Sequence, residues 1–188
     1  MSSNTWVELV SFDVGNGTAL NNTTSPTSIL PASAKFTLPA NFFNYVGKKL
    51  RVRAAGQMSN IVTTPGTLAL DFRLGSVVAF AGGNMALNVV AKTNVTWIFE
   101  AELEARAVGQ STSAALLGIG KFMSESVVGS PVPTVGGSGL LLLPSSAPAN
   151  GTGFDSTAAQ QVDMFATWSI ANTGNSIQVM QFSLEALN

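Results

Sequence analysis

Residues 97–107 read Trp-Ile-Phe-Glu-Ala-Glu-Leu-Glu-Ala-Arg-Ala, and the alternation in this stretch decides the fold class. Every second position from Trp97 to Ala105 is apolar, and Glu100, Glu102 and Glu104 lie between the apolar positions. Successive side chains of a β-strand point to opposite faces of its sheet. The stretch therefore predicts a long strand with one buried face and one solvated row of carboxylates.

The same two-residue period recurs in residues 49–54, 68–74 and 162–170. Residues 177–186 are apolar at both sets of alternate positions, which predicts a last strand covered on both faces. Segments rich in Gly, Pro and Asn separate the runs. The segment 171–175 predicts a hairpin turn that needs a positive φ at Gly174 or Asn175.

Only residues 39–46 have a helical character, with proline at the start and Gly47 just past the end. Many short strands and at most one short helix predict an all-β protein, an antiparallel β-sandwich of the jelly-roll type. The 188 residues fit one domain, and we expect residues 1–30 to form an N-terminal arm.

The composition excludes several classes of chemistry. The chain has no cysteine and no histidine, so it has no disulfide, no thiolate nucleophile, no imidazole base and no zinc site of the usual kind. We expect no catalytic residue, no cofactor and no bound metal. A net charge of −1 lacks the basic excess of a nucleic-acid-binding protein, and nucleic acid is not an expected partner.

The sequence also bears on where the protein is made. Its first residues have neither a basic nor an apolar region of a signal peptide. The longest leucine run, Leu140–Leu143, is far shorter than the roughly 20 residues that a membrane span needs. We therefore expect synthesis in a reducing bacterial cytoplasm and no membrane partner.

Residues 126–154 contain no charged side chain, which predicts a long uncharged loop. Its four leucines, Leu140, Leu141, Leu142 and Leu143, would form an exposed apolar patch unless something covers them. Two interpretations stay open at this point. The leucines contact a neighbouring subunit, or they form one more core strand of the same domain.

The carboxylate row allows three interpretations: a glycosidase pair, a calcium site, or a solvated face paired with arginines of a neighbouring strand, Arg51, Arg53 or Arg73. The third is favoured, because residues two apart on one strand form no cleft. A basic cluster could bind phosphate or an acidic partner, or balance the glutamates; its members are Lys35, Lys48, Lys49, Arg51 and Arg53.

The tryptophans allow two interpretations as well. Trp6, Trp97 and Trp168 could stack on sugar rings. Each lies in or beside an alternating strand, however, and packing in a core or an interface is the favoured interpretation.

Several stretches together resemble virion structural proteins of tailed bacteriophages. They are residues 38–43, 47–56, 64–68, 97–109, 166–169 and 181–188, and the resemblance covers most of the chain from about residue 36 onward. It implies a jelly roll that decorates or cements a capsid, or that forms part of a tip or fibre, commonly as a trimer. No catalytic residue carries over from the family.

The resemblance and the low charge favour a capsid decoration protein without enzymatic activity, located in the virion. Its expected partners are further copies of itself, as a trimer, and the major capsid protein or another virion protein. The predicted interface residues are the four leucines together with Ile177, Val179 and Phe182. The alternatives are a tail-fibre or receptor-binding tip protein, and a polysaccharide-active enzyme that uses Glu100, Glu102 or Asp163.

Overall fold

Two antiparallel sheets pack face to face in the computed structural model, which describes residues 6–128 and 139–187. The prediction of an all-β sandwich is confirmed. The strands are β1 Val7–Phe12, β2 Leu20–Asn21, β3 Thr27–Ser28, β4 Thr37–Leu38, β5 Lys49–Asn60, β6 Thr67–Leu74, β7 Val77–Ala86, β8 Lys92–Ala107, β9 Ala115–Ser124, β10 Leu140–Leu143, β11 Gln160–Trp168 and β12 Ser176–Leu187.

The larger sheet has the order β1-β12-β5-β8-β9-β10, with β2 also paired to β12. The smaller sheet has the order β3-β11-β6-β7, with β4 also paired to β11. Strand β5 pairs with β12 in the larger sheet. The strand after β5, β6, pairs with the strand before β12, β11, in the smaller sheet. This antiparallel ribbon passes from one sheet to the other, as in a jelly roll.

The core lies between the two sheets, and the alternation predicted it well. The apolar positions of β8 from Trp97 to Ala105 are all buried, as are those of β6 and β11. The Trp97 indole stacks on Phe122 with ring centroids 5.7 Å apart, and its Nε1 donates to the backbone of Gln57 and Gln178. Trp168 is also buried, so both of these tryptophans are core residues.

Residues 171–175 do not form the predicted hairpin, because β11 and β12 lie in different sheets. Neither Gly174 nor Asn175 has a positive φ. The crossing is held by the buried Asn175 side chain, whose Nδ2 donates to the Pro65 carbonyl at 2.9 Å and whose Oδ1 accepts from the Ile61 N–H at 3.0 Å. One amide thus ties together two connections at this end of the sandwich.

The helix expected at residues 39–46 is wrong, and the segment consists of turns. Asn41 and Gly47 have φ values of 60° and 98°, outside the helical region. Burial explains the departure, because Phe43 inserts edge-on against Phe154 in the core. The helical element found in the described residues is a 3₁₀ turn at Ala32–Ala34. No helix in these residues is long and apolar enough to cross a membrane.

The described part of residues 1–30 is not a free arm. Strands β1, β2 and β3 each pair with a sheet, and Leu20, Ile29 and Leu30 are buried in the core. The segment is also anchored by a buried carboxylate, since Asp163 accepts from the Ser28 hydroxyl at 2.7 Å and pairs with Lys35 Nζ at 3.0 Å. Residues 1–5 lie outside the described residues.

The leucine run forms a strand of the same domain that buries only every second side chain, and contact of the exposed leucines with a neighbouring subunit stays a prediction. Leu140–Leu143 forms the edge strand β10 beside β9, so that Leu141 and Leu143 are buried while Leu140 and Leu142 are exposed. The uncharged segment is also not a loop throughout, because Phe154 is buried and exchanges backbone hydrogen bonds with Ala114. Residues 129–138 of that prediction lie outside the described residues.

Neighbouring leucines of β10 give a matched test of this alternation. Leu143 is 1% exposed and Leu142 is 64% exposed. We expect Leu143→Ala to lower the free energy of unfolding by about 2–5 kcal/mol, because the substitution leaves a cavity. Leu142→Ala should change it by no more than about 0.5 kcal/mol. Urea unfolding of both variants measures the difference, and equal losses would contradict the assigned faces of β10.

Candidate contact surface

The predicted interface residues of β12 are buried in the chain's own core, which corrects the prediction for Ile177, Val179 and Phe182. The strand pairs with β5 through a bulge between Val179 and Gln181. A bulge inserts one extra residue and switches the face of those that follow. The sequence therefore appears apolar on both sides, although the strand buries only one.

The outer face of the larger sheet carries a row of ion pairs across β12, β5, β8 and β9, which we call the charge ladder. Its members are Lys49, Arg51, Arg53, Glu100, Glu102, Glu104, Lys121 and Glu185. Arg106 also pairs with Glu104, at 3.1 Å, so five cations meet these four carboxylates. The expectation that the glutamates pair with Arg51 and Arg53 is confirmed, while Arg73 pairs with Asp71 in the smaller sheet instead.

The centre of the charge ladder is built around Arg51. Its Nη2 lies 2.8 Å from Glu102 and its Nη1 lies 3.4 Å from Glu185, so one guanidinium joins carboxylates from both neighbouring strands. The hydrogen bond to Glu102 raises the pKa of Arg51. The pKa of Glu100 is lowered, chiefly by the hydrogen bond from Lys121, whose Nζ lies 2.9 Å away. These charges are satisfied within the chain.

The basic cluster is dispersed in the structure. Lys49, Arg51 and Arg53 join the charge ladder, whereas Lys35 binds Asp163 on the smaller sheet. Lys48 lies over the ring of Phe42, with Nζ 4.3 Å from the centroid. The five cations therefore do not converge on one phosphate-sized site.

The carboxylates considered for catalysis are not brought together either. Glu100 and Glu102 lie on the outer face of the larger sheet, and Asp163 lies on the outer face of the smaller one, bound to Lys35. Within residues 6–128 and 139–187, no group of three or more acidic side chains could hold a metal ion. That the protein is not an enzyme stays a prediction.

An exposed apolar strip borders the charge ladder on the side of β9 and β10, and we call it the β9–β10 margin. Its members are Ile98, Ile119, Met123, Leu140 and Leu142. Ile98, Met123 and Leu140 are aligned across three neighbouring strands, and Leu142 is aligned with Lys121 of the charge ladder. Two of the predicted interface leucines thus belong to a wider apolar surface.

A second apolar strip borders the opposite edge of the same face, and we call it the β1 margin. It comprises Val7, Leu9 and Phe12, each more than half exposed. Their partners in β12 are Leu187, Glu185 and Ser183. The sequence analysis missed this strip, although Val7 and Leu9 flank Glu8 in a short alternating run that signals a strand face.

A groove opens beside β1, between that strand and the turns of residues 39–48. Its volume is about 650 Å³, and we call it the aromatic groove. Its aromatic members are Trp6, Phe36, Phe42 and Tyr45, and its polar members are Glu8, Asn41, Asn44 and Lys48. Trp6 is 57% exposed, in contrast to the two core tryptophans.

Comparison with known proteins adds one likeness. No protein-family model and no curated protein matches the chain. Among solved structures, the chain is similar to the CBM2 module of the evolved Dit of Lactobacillus casei BL23 phage J-1, with 11% sequence identity and a TM-score of 0.38 over 99% of this chain and 98% of that one. A likeness at this level transfers no function, and the surfaces described above carry the interpretation.

The charge ladder makes stability depend on pH in a definite direction. The folded-state pKa of Glu100 lies below the ordinary value of 4.5, so its contribution is present above that pH and is lost as the pH falls through the folded-state pKa. We expect Lys121→Gln to lower the free energy of unfolding at pH 6 but much less at pH 3. Thermal unfolding against pH measures this.

The matched control for this experiment is Lys92→Gln. Lys92 also pairs with a carboxylate at 3.1 Å, but its partner Glu125 is 71% exposed in its side chain and lies outside the charge ladder. Exposed pairs contribute little unless several charges form a network, and Glu100 belongs to such a network because Arg53 lies 3.8 Å away on its other side. A Lys121→Gln variant whose loss of stability is the same at both pH values would contradict the assigned role of Glu100.

Proposed function

We propose that the protein is a non-enzymatic structural subunit of a tailed-bacteriophage virion, a capsid decoration protein that assembles as a trimer on the head lattice. The proposal that the protein assembles with copies of itself rests on the β1 margin and the β9–β10 margin, two apolar strips at opposite edges of one sheet face. The resemblance of the sequence to phage virion proteins supplies the biological setting.

Each margin is suited to a subunit contact by its composition. Burying one leucine-sized side chain is worth roughly 1.5–3 kcal/mol, and the centres of subunit interfaces are depleted of charge. The β9–β10 margin offers five such side chains, among them Leu142 at 64% exposure. The neighbouring charge ladder is internally paired, so it suits the polar rim of such a contact.

The positions of the two margins favour a ring. Strands β1 and β10 lie at the two ends of the larger sheet, five strand spacings or about 24 Å apart. One chain therefore cannot bring its two margins together, but the β1 margin of one copy can meet the β9–β10 margin of the next. A contact between two different surfaces generates a closed ring when its rotation closes, and a trimer is the ring we expect.

A component of the tail is the second candidate. The observation that favours it is the aromatic groove, because a binding groove on a virion protein fits contact with a host surface. Copy number in purified virions distinguishes the two locations. A decoration protein is present in many copies across the head, whereas a tail tip holds few. Imaging of labelled virions shows the location directly.

The assembly proposal predicts the effect of a paired substitution in the β9–β10 margin. We expect Ile119→Ser with Leu142→Ser to shift the protein from trimer to monomer in light scattering at micromolar concentration. The monomeric variant should still unfold in one cooperative thermal transition, because both substituted side chains are more than half exposed and do not fill the core.

The matched control is Val62→Ser, which alters a 60% exposed side chain in the connection between β5 and β6, outside both margins. It should leave the trimer intact. A wild-type protein that is a monomer of about 19 kDa, the mass of one chain, would overturn the assembly proposal. So would a double variant that keeps the trimer.

A further inference from the structure

The aromatic groove combines exposed aromatic rings with uncharged amides and a carboxylate. Trp6, Phe36 and Tyr45 are each between 41% and 57% exposed. Beside them lie the amides of Asn41 and Asn44 and the carboxylate of Glu8. The groove volume of about 650 Å³ falls within the range of about 300–1,000 Å³ that is usual for small-ligand sites.

The wall of the groove is held in place before any ligand arrives. Phe43 is buried in the core, and the neighbouring Phe42 packs edge-on against it with centroids 5.1 Å apart. The left-handed residue Asn41 donates its N–H to the Ser156 carbonyl at 3.0 Å, and Gly47 donates to the Ala105 carbonyl at 2.8 Å. Binding to such a preformed wall costs little conformational entropy.

The polar groups of the groove are available for a ligand. The side chains of Glu8, Asn41 and Asn44 make no hydrogen bond with the part of the chain that the structure describes. Amides both donate and accept, and a carboxylate accepts. A ligand that brings only apolar groups would cover these side chains and leave them unpaired, which is unfavourable.

The charge of the groove is balanced and partly occupied. Lys48 is held by two rings, with Nζ 4.3 Å from the centroid of Phe42 and 5.9 Å from that of Tyr45. Burial lowers the pKa of Lys48, while the negative charge of Glu8 raises it. One cation and one carboxylate leave no net positive charge to attract a phosphate or another anion.

An extended peptide is a poorer occupant. Strand addition needs a bare edge of β1, but the 3₁₀ turn at Ala32–Ala34 packs against that strand. The buried Ser11 of β1 donates its hydroxyl to the Ala34 carbonyl at 2.8 Å. The edge is therefore partly covered on the side of the groove.

From these features we infer that the aromatic groove binds a neutral saccharide. The C–H face of a sugar ring matches the electron-rich face of an aromatic ring, as in stacking on Trp6 or Tyr45. The sugar hydroxyls both donate and accept, which matches the free amides and the carboxylate. The groove lies within one chain, so this inference does not depend on head or tail location. It adjoins the proposed trimer contact, because Leu9 of the β1 margin also lines the groove.

The experiment is a glycan array of neutral and acidic oligosaccharides probed with the full chain, followed by fluorescence titration of the neutral sugars bound. Trp97 and Trp168 are buried, so a change in tryptophan emission on binding reports on Trp6. We expect binding to neutral glycans with a change in emission. Tyr45→Ala should weaken that binding at least tenfold, and Trp6→Ala should also remove the change in emission.

Controls separate this inference from the assembly proposal. Val62→Ala alters an exposed side chain outside the groove and should leave both affinity and emission unchanged. The inference is overturned if the chain binds no neutral glycan at millimolar concentration, binds acidic glycans alone, or binds equally after Tyr45→Ala. If Tyr45→Ala instead changes the oligomeric state in light scattering, the groove is a subunit contact, and the inference is wrong while assembly stands.

Discussion

The register between β5 and β8 is the constraint on which the rest of the structure depends. It places Arg51 opposite Glu102 and Arg53 opposite Glu100, and the same register places Val52 opposite Ala101 in the core. Because side chains alternate between faces, a slip of one residue would move every charge inward and every core residue outward. The ion pairs on one face and the packing on the other therefore specify the same pairing.

Strands β12 and β9 flank this pair and extend its charge pattern across the sheet. Strand β12 continues the charge ladder through Glu185, and β9 continues it through Lys121. On the same face, apolar side chains are exposed in the β1 margin, beside β12, and in the β9–β10 margin, on β8, β9 and β10. The centre of this face is thus occupied by charges that pair with one another, and apolar side chains are exposed toward its two edges. This arrangement favours subunit contacts through the edges over stacking of whole faces.

Much of this fold could be predicted from the sequence, because the regular strands alternate without interruption. The buried positions of β6, β8 and β11 follow from that period. The opposite charge rows predicted Arg51 and Arg53 as partners of the glutamates, but not Lys121, whose place beside Glu100 depends on the pairing of β8 with β9. The failures occur where a long-range contact overrides the local pattern. Strand β12 buries only one face, but the bulge after Val179 made its sequence look apolar on both faces. At residues 39–46, the burial of Phe43 in the core favours turns over the expected helix.

The contact surface was predicted less well, for a related reason. Leu140 and Leu142 could be proposed from the leucine run, but Ile119 and Met123 become exposed neighbours only through the pairing of β9 with β10. The N-terminal segment gives the same lesson. Ile29 is fully buried because it reaches across the chain to β11, where its N–H donates to the Met164 carbonyl.

The place of β12 in the larger sheet has a consequence for how the chain is made. Strand β12 is synthesised after the other strands that the structure describes, yet it lies between β1 and β5. Ribosomes add about 5–20 residues per second, so β5 waits on the order of ten seconds for this neighbour. During that interval the nascent chain exposes unpaired strand edges and apolar side chains. The larger sheet therefore cannot be completed during translation until β12 emerges from the ribosome. Until then, a chaperone would have the largest unpaired apolar surface to bind.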